Sequence, residues 1–158
     1  MNNKTRQDAQ QFITENRKAR QRYTVEDHFE AGMVLTGSEV KSLRAGKVQL
    51  MDAYAYIKRG EVWLSKAHIS AYSHGAAFNH EPERERKLLL KRSEIDKLKD
   101  KLDRRGYTLI PLSMYFSKGK AKVDLGLCVG KEAKDRRQEI KSRDIEREMR
   151  QAVKQKNR

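Results

Sequence analysis

Lys120-Ala121-Lys122-Val123-Asp124-Leu125-Gly126-Leu127-Cys128-Val129 decides the fold class. Val123, Leu125, Leu127 and Val129 alternate with Lys122, Asp124, Gly126 and Cys128, so the two sets point to opposite faces of an extended strand. Just upstream, Tyr107 to Phe116 reads as its antiparallel partner across Ser117-Lys118-Gly119. Ala53 to Lys58 and Glu61 to Ile69 flank Arg59-Gly60 as a second hairpin. In it Tyr54 and Tyr56 share one side, and Val62 and Leu64 share a side opposite Trp63. Tyr23 to Leu35 is a further strand, with Glu30-Ala31-Gly32 marking a bulge or a bend where it turns a barrel corner. Leu88-Leu89-Leu90 adds a strand that is mainly buried. Short antiparallel strands need their edges covered, which predicts a closed or nearly closed β-barrel in a mainly β, α+β domain.

Two or three helices are expected around that barrel. In Gly37 to Lys47, Ser38 can cap a helix whose Val40 and Leu43 share the buried face. Lys41 and Arg44 share a different face and leave a cationic edge for a partner, and Gly46 closes the turn. Ser93-Glu94-Ile95-Asp96 has the form of a capping box, followed by Ile95, Leu98 and Leu102 on one face, with Gly106 ending the helix. Ala71 to Glu83 has little periodicity and reads as a loop. Residues 1–15 read as a flexible arm leading into a basic cluster up to Arg22, and residues 16–130 as the barrel domain. Residues 131–158 form a basic tail in which Ile145, Met149 and Val153 recur every fourth position. That stripe is too thin to dock a helix on its own domain, so the tail is expected to be disordered alone and helical when held.

Composition narrows the function. Of 158 residues, 37% are hydrophobic and 37% charged, with a net charge of +14, which points to a partner rich in phosphate. The excess is densest at the ends, residues 131–158 alone carrying +5. No apolar run suits a membrane span or a secretory signal, and Cys128 is the lone cysteine, so a cytoplasmic protein without a membrane partner is expected. His28, His68, His74 and His80 lack the companions of a zinc site, no glycine-rich phosphate loop occurs, and Glu81, Glu83 and Glu85 sit among arginines as charge balance. Neither enzyme, metal nor cofactor is expected. Tyr54, Tyr56, Trp63, Tyr72 and Phe78 either fill the barrel or stack on unpaired bases.

Taken in order, Glu30-Ala31-Gly32, Gly37-Ser38-Glu39-Val40-Lys41-Ser42-Leu43-Arg44, Arg86-Lys87-Leu88-Leu89-Leu90, Gly106-Tyr107, Gly130-Lys131 and Asp135-Arg136-Arg137 resemble the SmpB family, the tmRNA-binding small protein B of bacterial trans-translation. The resemblance covers roughly Asn16 to the end. It implies an OB-fold-like barrel that binds the tRNA-like domain of tmRNA and enters the decoding centre of a ribosome stalled on mRNA without a stop codon. There the body stands in for the missing anticodon arm. The tail folds as a helix along ribosomal RNA in the empty mRNA channel. Elongation factor Tu takes part indirectly, through delivery of alanyl-tmRNA. The family's tmRNA-binding glutamate and leucine match Glu30 and Leu89, and the polar position after the leucine run holds Lys91, where the family usually has Asn or His. Lys41 and Arg44 are backbone-contact candidates from charge and helix face alone. Asp135, Arg136 and Arg137 match the charged triplet at the decoding centre, Lys134 stands where a ring often does, and Ile145 and Val153 match the tail's hydrophobic positions. Two other readings fit the charge: a ribosomal protein or assembly factor, which would bind naked ribosomal RNA tightly, and an RNA-processing enzyme, which would cleave its substrate.

Overall fold

A computed structural model describes residues 10–72, 79–131, 143 and 145–154. Two of its three longest strands are β8 (Tyr107–Ser117) and β9 (Lys120–Gly130), the hairpin expected from their alternation, closed by Lys118 and Gly119 at positive φ. The second hairpin is β4 (Tyr54–Lys58) with β5 (Glu61–Ser65), and both turn residues, Arg59 and Gly60, have the positive φ of a tight two-residue turn. β2 (Tyr23–Met33) runs antiparallel to β9 and then, at Gly32–Met33, also to β7 (Arg86–Leu89). Following hydrogen-bonded neighbours, β8–β4–β5–β7–β2–β9 returns to β8 through the β8–β9 pairing, so the sheet closes on itself. Val62, Leu64, Leu88, Leu109, Val123 and Leu125 fill the interior.

Several expectations change in detail. The Glu61 to Ile69 strand breaks at Lys66, which has positive φ, and its end becomes β6 (His68–Ile69), paired with β3 (Val48–Gln49) in a separate two-stranded sheet. The register of β2 shifts between Val25 and Asp27, not at Glu30-Ala31-Gly32, although Gly32 is where β2 takes up its second neighbour. Gly126 is required by packing: a Cβ there would lie 2.7 Å from Leu112 Cδ1, the residue at the β8 register shift.

Of the flexible arm expected over residues 1–15, residues 11–15 instead form a strand, and residues 1–9 lie outside the described residues. β1 (Gln11–Glu15) pairs antiparallel with the second half of β8, and α1 (Arg17–Arg22) follows directly. Asn16 ties both down: its amide donates to the carbonyls of Leu50 and Pro111, each at 3.0 Å, and its Oδ1 accepts from Ala19 N–H at 3.1 Å. A side chain that caps a helix and satisfies two buried carbonyls fixes the chain far more firmly than its two apolar neighbours would.

α2 (Gly37–Arg44) is capped by Thr36, not Ser38, in a reciprocal capping box with Glu39. α3 (Arg92–Leu102) starts one residue before Ser93, and Glu94 reaches back to the Lys91 N–H at 3.1 Å. Leu43 on α2 and Leu98 on α3 are buried against the barrel, as expected of those faces. Residues 145–154 are helical, the form expected of the tail when ordered. Among the described residues, no helix is long and apolar enough to cross a membrane.

One tie between these elements is ionic and buried. Glu39 and Arg86 are both fully buried. Arg86 Nε and Arg84 Nη2 donate to the two oxygens of the Glu39 carboxylate, and Thr36 N–H adds a third donor at 2.9 Å. Arg86 also donates to the carbonyls of Ala67 at 2.6 Å and Pro82 at 3.0 Å. Burial pushes the Glu39 carboxyl up, but hydrogen bonds from Arg84, the Thr36 backbone and Arg86, with the charge of Arg86, outweigh it and hold the group below its ordinary value. Glu39→Ala strands a buried guanidinium and should cost about 3–5 kcal/mol in urea unfolding at pH 7. Because the folded-state value is lowered, the pair's contribution is full above the unfolded carboxyl's range near 4.5 and fades as pH falls through the lower folded value. A Glu39→Ala chain as stable as the parent at pH 7 would contradict this.

Candidate nucleic-acid interface

Residues directly opposite one another on neighbouring strands share a face of the sheet. Leu89 on β7 opposes Gly32 on β2, Gly32 opposes Lys122 on β9, Lys122 opposes Tyr115 on β8, and Tyr115 opposes Phe12 on β1. With strands about 4.8 Å apart, this row crosses the outside of the barrel over about 19 Å. Leu89 and Phe12 at its ends are 52% and 68% exposed, so the row ends in apolar side chains open to solvent. Gly32 keeps its middle flat: a Cβ there would meet Leu89 Cβ at 3.4 Å and Lys122 Nζ at 3.8 Å, so the ammonium lies over the glycine.

A second row runs beside the first and is acidic. Glu30 opposes Asp124, Asp124 opposes Ser113, and Ser113 opposes Glu15. Each carboxylate has its own donor. Tyr115 Oη donates to Glu30 at 2.6 Å, His28 Nδ1 lies 3.1 and 3.2 Å from the two Asp124 oxygens, and Arg20 pairs with Glu15 at 3.0 Å. Burial, and then the hydrogen bond to Glu30, push the Tyr115 phenol well above its ordinary value. The bond from Tyr115 occupies one Glu30 oxygen, and the exposed carboxylate keeps acceptor capacity for an incoming N–H or O–H.

Of the residues expected at the site, the structure brings Glu30 and Leu89 to one face and places Lys91 just beyond, exposed at the start of α3. Lys41 and Arg44 lie apart on α2, their charges over the rings of Tyr72 at 5.4 Å and Phe116 at 4.9 Å. Ile145 and Val153 are exposed on the helical stretch 145–154, with Met149 between them. Lys134, Asp135, Arg136 and Arg137 lie outside the described residues. Reading the sequence missed Lys122, Tyr115, Asp124 and His28. Their signal was available only as polar positions on three strands, and register, which sequence does not give, joins them to Glu30.

The geometry can now be set beside known proteins. The family model described as SmpB protein matches residues 13–155. The chain belongs to the SmpB family. An SsrA-binding protein of Treponema denticola is 52% identical over 143 residues, 90% of this chain and 93% of that protein. One from Desulfitobacterium hafniense is 54% identical over 137 residues, 87% and 88% of the respective chains. Among solved structures, a chain in the work described as "tmRNA-SmpB: a journey to the center of the bacterial ribosome" superposes with a TM-score of 0.65 at 46% identity, over 75% of this chain and 84% of that one. The family fold is thus the closed, mainly antiparallel barrel with helices described above.

The Tyr115–Glu30 bond makes a prediction independent of any RNA. Tyr115→Phe should lower unfolding free energy at pH 7 by about 1 kcal/mol, the worth of one partly exposed bond to a charged acceptor. Because the folded phenol is raised, that difference holds below pH 10 and disappears as pH climbs through the raised value. Urea curves for the two proteins at pH 7 and pH 10.5 measure it, and indistinguishable curves at pH 7 would remove the bond from the account.

Proposed function

We infer that this chain binds tmRNA and acts with it on the ribosome in trans-translation. The observation that carries this is the match of about nine-tenths of the chain, at half identity or better, to SsrA-binding proteins, together with its likeness to SmpB in the tmRNA-SmpB ribosome work.

On this reading the paired rows on the barrel grip the tRNA-like domain. Glu30 accepts from base or ribose donors, the one job a carboxylate can do against an RNA whose phosphates repel it. Leu89 packs on an exposed sugar or base face, and Lys122 meets a phosphate between them. Lys91, a point charge where the family usually carries Asn or His, holds a phosphate without reading a base edge. Lys41 and Arg44 serve as backbone contacts at the end of the barrel.

Residues 131–158 act separately. Lys134, Asp135, Arg136 and Arg137 meet the decoding centre, and the stripe of Ile145, Met149 and Val153 packs in the mRNA channel once the stretch is helical. About twenty helical residues span roughly 30 Å, enough to register whether mRNA fills that channel. The body replaces the absent anticodon arm, and elongation factor Tu enters only through alanyl-tmRNA. The protein works in the cytoplasm as a binding protein and performs no chemistry of its own.

Two experiments divide these roles. Glu30→Ala should weaken binding of the tRNA-like domain at least tenfold in a gel shift, and an unchanged affinity would remove Glu30 from the site. Replacing Arg136 and Arg137 together by Ala should leave that affinity intact and abolish peptidyl transfer to alanyl-tmRNA on stalled ribosomes. Equal loss of both activities would contradict the division.

A further inference from the structure

We propose that the RNA-binding face extends to the start of β1, where Phe12 stacks against an unpaired base of the bound RNA. Phe12 lies one residue before the matched span of 13–155, so the family match assigns it nothing. An isolated exposed apolar side chain needs no explanation. Phe12 is not isolated in that sense. It opposes Tyr115 on the same face, and Tyr115 carries the bond to Glu30, so Phe12 ends a continuous row reaching Leu89. Its neighbour Ile13 turns inward and packs against the core, which commits Phe12 to the outside.

The surroundings suit a nucleotide better than a protein side chain. Phe12 shares a shallow groove of about 170 Å³ with Arg44 and Gly46. The Arg44 guanidinium lies over the Phe116 ring, 4.9 Å from its centroid, and keeps its positive charge beside the groove. A ring for a base and a cation for its phosphate, lining one groove, are two elements with which proteins hold unpaired nucleotides. Arg44, separated from Glu30 by the fold, thereby joins the same surface at its far end. The occupant is one unpaired nucleotide of the tRNA-like domain, because the row is continuous with the face that binds it.

The inference rests on reading the Glu30–Leu89 face as the tmRNA site, and the test separates the two. Full-length protein, Phe12→Ala, Phe12→Tyr and Glu30→Ala are titrated against a transcript of the tRNA-like domain, after thermal unfolding confirms that each is folded. Phe12→Ala should lose about 5- to 100-fold in affinity, the range for removing one stacked aromatic, while Phe12→Tyr keeps the parental value. Loss in Glu30→Ala with none in Phe12→Ala overturns the extension and leaves the tmRNA face standing. No loss in either removes the face itself and the extension with it. Equal loss in Phe12→Ala and Phe12→Tyr also overturns stacking, since the ring survives in the second. As a direct readout, Phe12→Trp in a Trp63→Phe background leaves a single indole, Trp63 being the natural chain's one tryptophan. Its fluorescence should be quenched on saturation with the transcript, and unchanged emission would overturn the contact.

Discussion

A carboxylate with no access to water holds α2 against the barrel. Glu39 is surrounded by Arg84, Arg86 and the Thr36 backbone, and Arg86 in turn spans to the carbonyls of Ala67 and Pro82. These groups come from α2 and its cap, the segment between β5 and β6, the loop before β7 and β7 itself, so one charge cluster joins four segments of the fold. Removing either partner leaves an unpaired buried charge, which costs more than the intact pair contributes. The value of such a pair lies in geometry. Arg86 is pinned, and three residues later Leu89 is set opposite Gly32; a slip of one residue in β7 would turn Leu89 into the core and Leu88 out of it.

The face built on that register has two characters. One row offers Leu89, a flat glycine, an ammonium and aromatic rings, while the other offers carboxylates restrained by Tyr115, His28 and Arg20. Net positive charge draws any RNA toward the protein without choosing among them. Carboxylates repel a plain phosphate backbone and accept from exposed amino groups and hydroxyls, so they favour a folded RNA that presents those groups at the right place. On the proposed reading, attraction is general and the acidic row supplies selection.

The β8–β9 hairpin could be read from the chain because Val123 to Val129 alternate without interruption, and Arg59-Gly60 announces the β4–β5 turn by residue type. The buried pair could not. Glu39 stands where a capping box puts an exposed glutamate, and its partner Arg86 lies 47 residues away amid a run of charges that reads as surface. β1 was hidden for another reason: an edge strand is held by backbone hydrogen bonds, and Phe12-Ile13 in a polar stretch gives no alternation to count. Glu30 and Leu89 were found by resemblance to a family. That they share a face with Lys122, Tyr115 and Phe12 follows from strand register, which only the fold reveals.

The central claim is that the barrel grips RNA through this one outer face while residues 145–154 take no part in that grip. Backbone hydrogen exchange of the full chain, with and without the tRNA-like domain of tmRNA, addresses it directly. New protection should appear on β1, β7, the second half of β2, the second half of β8 and the start of β9, and not at 145–154. Protection centred instead on the start of β4 and the first half of β8, or on the tail helix, would contradict the claim.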